Sequence, residues 1–111
     1  MSRQRRALIQ RGDIWDADIP GVGIHPVVVV TRDTAIPVLS SLTCVLITSS
    51  FHGHVAEVSV GQSQGQDHDS AANCDNILTL PRQVLTRRRG HLDTAKVAEL
   101  DAALTIALGL D

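Results

Sequence analysis

In the stretch GVGIHPVVVVTRD a single imidazole, His25, stands directly before Pro26 and four consecutive valines. An imidazole titrates near pH ~6.5, so it takes a proton when neutral and gives one, or carries charge, when protonated. A second polar group closes the apolar run LTCVLIT, where Thr48, Ser49 and Ser50 present hydroxyls with Phe51 beside them. Hydroxyls at a strand end suit a developing oxyanion, and an exposed aromatic ring can stack; the plainer alternative is a polar strand terminus with a buried Phe. His52 and His54 of HGH set two imidazoles at i and i+2, and Asp67, His68 and Asp69 add further donors. These are enough ligands for a divalent metal, although short clusters of this kind are far more often solvated loop residues.

The elements that must hold these groups are read from the hydrophobic period. DIWDADI alternates Trp15, Ala17 and Ile19 with Asp16 and Asp18, which predicts a half-buried strand over 12–19 and places Trp15 in the core. Residues 26–32 and 42–48 follow as two strands whose near-continuous apolar runs predict burial on both faces, joined by a Pro37-broken connection with one helical turn. HVAEVSV turns Ala56, Val58 and Val60 to one side, and GQSQGQDHDS reads as a loop. CDNILTL resumes as a strand, Pro81 opens a short helix to about Leu85, and RRRGHL is extended. The last segment is an amphipathic helix, capped by Asp93 or Thr94, with Val97, Leu100, Leu104, Ala107 and Leu108 on its packing face and Gly109 at its stop.

Size and composition bound the rest. With 111 residues, 43% hydrophobic and 20% charged, the chain is expected to form one globular domain over 11–111 behind a basic extension at 1–10. Cys44 and Cys74 are isolated, which predicts reduced, partly buried thiols and a cytoplasmic location. MSRQRRALIQRGD lacks the apolar stretch of a secretory signal, and nowhere do eighteen apolar residues run together, so no membrane is expected. The net charge of −2 hides arginines at 3, 5, 6, 11, 82 and 87–89 against acids at 13–18, 67–75 and 93–111. Such segregation can give an acidic protein a positive face for a phosphate backbone.

The pieces RGDIW, HPVVVVTRD, VLITSS, CDNILTL and HLDTAKVAELDAALTIALGL, in this order over 11–110, resemble the MazF/PemK family of toxin endoribonucleases. The resemblance implies a mainly β fold with one helix: a small SH3-like antiparallel β-barrel, shared with CcdB toxins, and a C-terminal amphipathic helix. It further implies a homodimer that cuts single-stranded RNA without a metal or other cofactor. A MazE-like antitoxin would silence it by threading an extended, often acidic tail through the RNA groove. The family carries a catalytic arginine before the proline that opens the second strand and a catalytic threonine at the end of the third. Thr48 matches, whereas His25 stands where the arginine should be. By the same resemblance Ile24, Ser49, Ser50, Phe51, Asp75 and Asn76 occupy the RNA-contacting stretches. Asp75 and Asn76 can exchange hydrogen bonds with Watson–Crick edges; an Asp at a strand start is otherwise turn chemistry.

RNA is cut when its own 2′-hydroxyl attacks phosphorus, which requires a proton acceptor, a proton donor and positive charge or donors at the phosphate. Arginine supplies charge and donors but is a poor base; histidine reverses those talents. Arg32, seven residues along the expected second strand, would be roughly 23 Å away and on the opposite face. Arg11, Arg82 and Arg87 to Arg89 stay open as substitutes. The competing readings are a catalytically weak or inactive binding module and a CcdB-like gyrase poison, the latter disfavoured because the helix ends ALGLD without an aromatic tip.

Overall fold

The computed structural model describes residues 9–61, 64 and 69–110. Six strands form one curled antiparallel sheet: β1 (Asp13–Ile19), β2 (Gly23–Val29), β3 (Ser41–Thr48), β4 (Glu57–Val60), β5 (Ser70–Pro81) and β6 (Leu85–His91), followed by helix α1 (Thr94–Leu108). Their spatial order is β4-β5-β3-β2-β1-β6, so the central strands β2 and β3 carry neighbours on both sides. Both are buried on both faces, as their apolar runs predicted: Val27, Val28, Val29, Leu42, Cys44 and Val45 are all fully enclosed.

The alternation splits these side chains between two clusters. Ile14, Val28, Val45, Ile47, Val58, Val60 and Ala72 pack with Leu92, Leu100 and Ala103 beneath α1. Trp15, Ala17, Val27, Val29, Leu42, Cys44, Leu80 and Leu85 form the opposite cluster, which Ile36 and Ile9 close. Residues 1–8 of the expected basic extension lie outside the described residues, but Ile9 is already core.

Several boundaries differ from the sequence reading. β2 begins at Gly23 rather than at residue 26, so His25 and Pro26 are strand residues; β1 supplies partners as far as Ile19↔Gly23, and Pro26 opposite Asp16 is accommodated there. Arg32 falls past the end of β2 and is exposed. β4 starts only at Glu57, because the segment before it folds back onto that residue. β5 is twelve residues long, starting at Ser70, and carries a bulge: Val45↔Ile77 is followed by Leu46↔Asn73, which leaves residues 74–76 without a ladder partner on β3. Pro81 precedes a single 3-10 turn at Arg82–Val84.

Helix α1 is capped by Asp93, whose side chain accepts the Lys96 N–H at 2.8 Å, and ends at Gly109 with φ 67°. Leu100 and Ala103 are its buried residues, with Val97, Leu104 and Ala107 partly covered. Leu108 is 55% exposed, contrary to its expected place on the packing face.

Cys44 and Cys74 are unpaired thiols at 0% exposure. Burial pushes Cys44 up to about 12, and burial with the neighbouring Asp75 charge pushes Cys74 up to about 11, from an ordinary 9.0. The folded state therefore keeps protons that the unfolded chain loses, so this stabilisation is complete below pH ~9 and is lost as pH rises toward 11–12. Neither thiol is expected to react with Ellman's reagent in the native protein at pH 8, and both should react in guanidinium; prompt native labelling would contradict the packing.

Candidate active site

Strand alternation and register bring the first two sequence-identified groups together. His25 shares its sheet face with Val27 and Val29, and Thr48 shares that same face with Cys44 and Leu46. The β2–β3 ladder pairs Val27 with Leu46; carried two residues further, that register sets His25 opposite Thr48. Both side chains line one cleft of about 350 Å³, together with Pro26, Leu46, Ile47, Ser49 and Ser70. Its floor is apolar and its walls carry an imidazole and hydroxyls, both side chains at the His25–Thr48 pair being half-buried.

The Thr48 hydroxyl donates toward the Ser50 carbonyl at 3.3 Å and the Ala71 carbonyl at 3.4 Å. Both are long bonds to a group with one proton, so the hydroxyl is held at the cleft wall but can turn toward a bound oxyanion. Beyond it the chain bends sharply. Ser50 Oγ lies 3.3 Å from His52 Nε2, Gly53 takes φ 78°, and the Glu57 carboxylate accepts the backbone N–H groups of His52 at 3.0 Å and His54 at 3.1 Å. Desolvation works to raise the Glu57 carboxyl, but these two backbone donors, and the charges of the His54 and His52 rings, outweigh it and hold the group below its usual range. The 50–57 segment is thus tied to β4 rather than strung out as a loop.

Of the other expected contact residues, Ser49 lines the cleft and Ser50 borders it. Ile24 is 66% exposed and alternates away from His25, outside the cleft lining. Phe51 is exposed rather than buried, which leaves its face accessible, but it too lies outside the lining. Asp75 and Asn76 sit in the β5 bulge, in the middle of a strand and not at its start, so turn chemistry does not account for them. Ser70 is the cleft residue that the sequence did not reveal: it follows a glycine- and glutamine-rich stretch, and the small residues after it hide the strand.

Of the arginines left open as substitutes, Arg11, Arg82, Arg88 and Arg89 are engaged elsewhere. Arg82 is buried and donates to the carbonyls of Ile36 and Leu39, the latter at 3.0 Å. Arg11 binds the Val30 carbonyl and pairs with Asp101 at 2.8 Å. Arg88 pairs with Asp13 at 3.3 Å and Arg89 with Asp16 at 3.4 Å, while Arg87 is exposed on β6. Among the described residues no arginine lines the cleft. Among the described residues no three His, Cys, Asp or Glu side chains converge as a metal set; His52 and His54 approach to 5.9 Å between ring centres, while Asp67 and His68 lie outside the described residues.

Comparison with known proteins agrees with this architecture. Residues 10–108 match the model of the PemK-like, MazF-like toxins of type II toxin–antitoxin systems. The probable endoribonuclease MazF2 of Mycobacterium tuberculosis is 33% identical over 102 residues, covering 91% of this chain and 99% of that protein. Endoribonuclease EndoA of Bacillus subtilis is 28% identical over 114 residues, 93% of this chain and 97% of its own. Among solved structures, the M. tuberculosis toxin MazF-mt6 superposes with a TM-score of 0.83 at 31% identity, over 89% of this chain and 98% of its own. A mycobacterial endoribonuclease solved in complex with its cognate antitoxin gives 0.83 at 26% identity, over 93% and 97%. In sequence and in fold, the chain belongs to the PemK/MazF family of type II toxin–antitoxin toxins.

Proposed function

We propose that this protein is the toxin of a type II toxin–antitoxin pair, an endoribonuclease that cuts single-stranded RNA at the cleft between His25 and Thr48. The observation that carries this reading is their common cleft, one imidazole and one alcohol on neighbouring strands. Neutral His25 takes the proton of the 2′-hydroxyl, whose oxygen attacks the adjacent phosphorus. The Thr48 hydroxyl donates to the non-bridging oxygen that gains charge, with Ser49 beside it. The P–O5′ bond breaks with its electron pair on O5′, which takes a proton, leaving a 2′,3′-cyclic phosphate and a 5′-hydroxyl. The scheme is metal-free: its base is an imidazole and its donors to the phosphate are hydroxyls.

Endoribonuclease names among the relatives support the reaction class, and a relative solved with its cognate antitoxin supports a partner of that kind. The partners proposed for this chain are single-stranded RNA, a second copy of itself in a cytoplasmic homodimer, and a MazE-like antitoxin. An extended acidic tail of that antitoxin would compete for the RNA path. Base choice would come from hydrogen bonds and stacking around the cleft: Ser49 and Ser50 at its rim, Ile24 and Phe51 beside it, and Asp75 and Asn76 in the bulge.

That no arginine among the described residues lines the cleft favours one second reading, a MazF-like module that binds RNA without cutting it. Incubating the purified protein with a long RNA in excess chelator separates the two. Cleavage at an undiminished rate, with cyclic phosphate and 5′-hydroxyl ends, is the expected result. Intact RNA with retained binding would establish the module, and cleavage abolished by chelator would remove the metal-free scheme.

A further inference from the structure

The cleft supplies one imidazole, but breaking the P–O5′ bond calls for a second proton-transfer group. In an in-line displacement the attacking 2′ oxygen and the leaving O5′ lie on opposite sides of phosphorus, so a ring placed at the 2′ oxygen does not serve O5′, and an alcohol such as Thr48 is far too weak an acid to complete the transfer alone. Arginine holds its proton at every physiological pH, and among the described residues none lines the cleft. Beyond Thr48 the hydrogen bonds lead to a specific side chain. The Thr48 hydroxyl donates to the Ser50 carbonyl, and the hydroxyl of that same Ser50 meets His52 Nε2 at 3.3 Å.

We propose that His52 is the general acid of the reaction, working opposite His25 as base; this rests on the nuclease reading of the cleft. Two features fit the role. The ring is exposed, so a leaving nucleotide has access to it. Its position is set by its own backbone, because the His52 and His54 N–H groups both bind Glu57 Oε1 and Glu57 is fixed in β4, its own N–H bonded to the His54 carbonyl at 3.0 Å. The charged groups facing it, among the described residues, are Glu57 from β4 and His54 from its own segment.

The step balances as follows. The 2′ O–H bond breaks and its proton goes to the His25 ring, the 2′ oxygen bonds phosphorus, the electron pair of the P–O5′ bond stays on O5′, and O5′ takes the proton of the His52 imidazolium. In the charged ring Nε2–H donates to Ser50 Oγ, which leaves the other N–H to be given. Water then restores both rings.

His52→Gln should lower cleavage of ordinary RNA about 100-fold or more and remove the alkaline limb of the pH–rate profile, while His54→Gln keeps that limb. The decisive substrate carries sulfur in place of the 5′ bridging oxygen, because a thiolate leaves without an acid. His52→Gln should cut it about as fast as the wild type does. Three results would overturn the assignment: wild-type rates and profile in His52→Gln on ordinary RNA, a slow variant that the sulfur substrate does not rescue, or loss of the limb in His54→Gln alone. Cyclic ends from the wild type with any of these refute His52 only; no cyclic ends from the wild type refutes the nuclease reading itself.

Discussion

His25→Ala is expected to lower kcat by about 10²–10⁴, the range typical of removing a positioned acid–base group. His25→Arg should cut RNA, because a guanidinium restores charge and forked donors at the phosphate, but without the acidic limb that an imidazole base imposes. The contrast matters because the two side chains solve different halves of the problem. Arginine stabilises the crowded phosphorus at every pH and waits for another group to move the proton; histidine moves the proton and gives up permanent charge. A wild-type profile flat from about pH 5 to 9 would contradict a working imidazole. Equal cutting by the wild type, His25→Ala and His25→Arg would move the chemistry elsewhere.

The second large effect is on stability. Arg82 is 5% exposed, its guanidinium gathers the carbonyls of Ile36 and Leu39, and its backbone N–H binds the Ser40 carbonyl at 2.9 Å. It thereby fastens the β2–β3 connection, whose Ile36 closes the Trp15 cluster. Arg82→Met keeps the aliphatic stem but strands two carbonyls, at a cost of about 3 kcal/mol and a Tm lower by about 10 °C. Cleavage per folded molecule should persist at low temperature. A variant of unchanged Tm that no longer cuts would reverse the assignment and make Arg82 the missing catalytic cation.

Much of the architecture was legible because it follows from side-chain period. The alternation in DIWDADI, the valine run and the capped terminal helix each carry a strong local signal, and β1, β2, β3 and α1 appear in order. What failed to show was decided between strands. Gly23 and Ile24 look like loop, yet β1 runs far enough to pair them, which moves His25 from a loop into a strand. β5 begins four residues before Cys74 because Ser70, Ala71 and Ala72 pair with β4, and small residues carry no visible period. The bulge at 74–76 is a mismatch of register between β3 and β5, a property of the pair that neither strand states alone. Likewise, nothing local in SSFHGH shows that Glu57 gathers the segment back onto β4.

The site was legible in part for the same reason. His25 and Thr48 were marked by residue type and by resemblance; that they face one cleft depends on the β2–β3 register and on both having the parity of the Trp15 face. The engagement of Arg11, Arg82, Arg88 and Arg89 could not be read from their spacing, since their partners lie as distant in sequence as Asp101 is from Arg11.

The most direct test of the central claim is a crystal structure with a short RNA made uncleavable by a 2′-deoxy sugar at the scissile position. One phosphate should lie within hydrogen-bond reach of both the His25 ring and the Thr48 hydroxyl. A phosphate held by only one of them, with the other addressing a different nucleotide or none, would contradict the account.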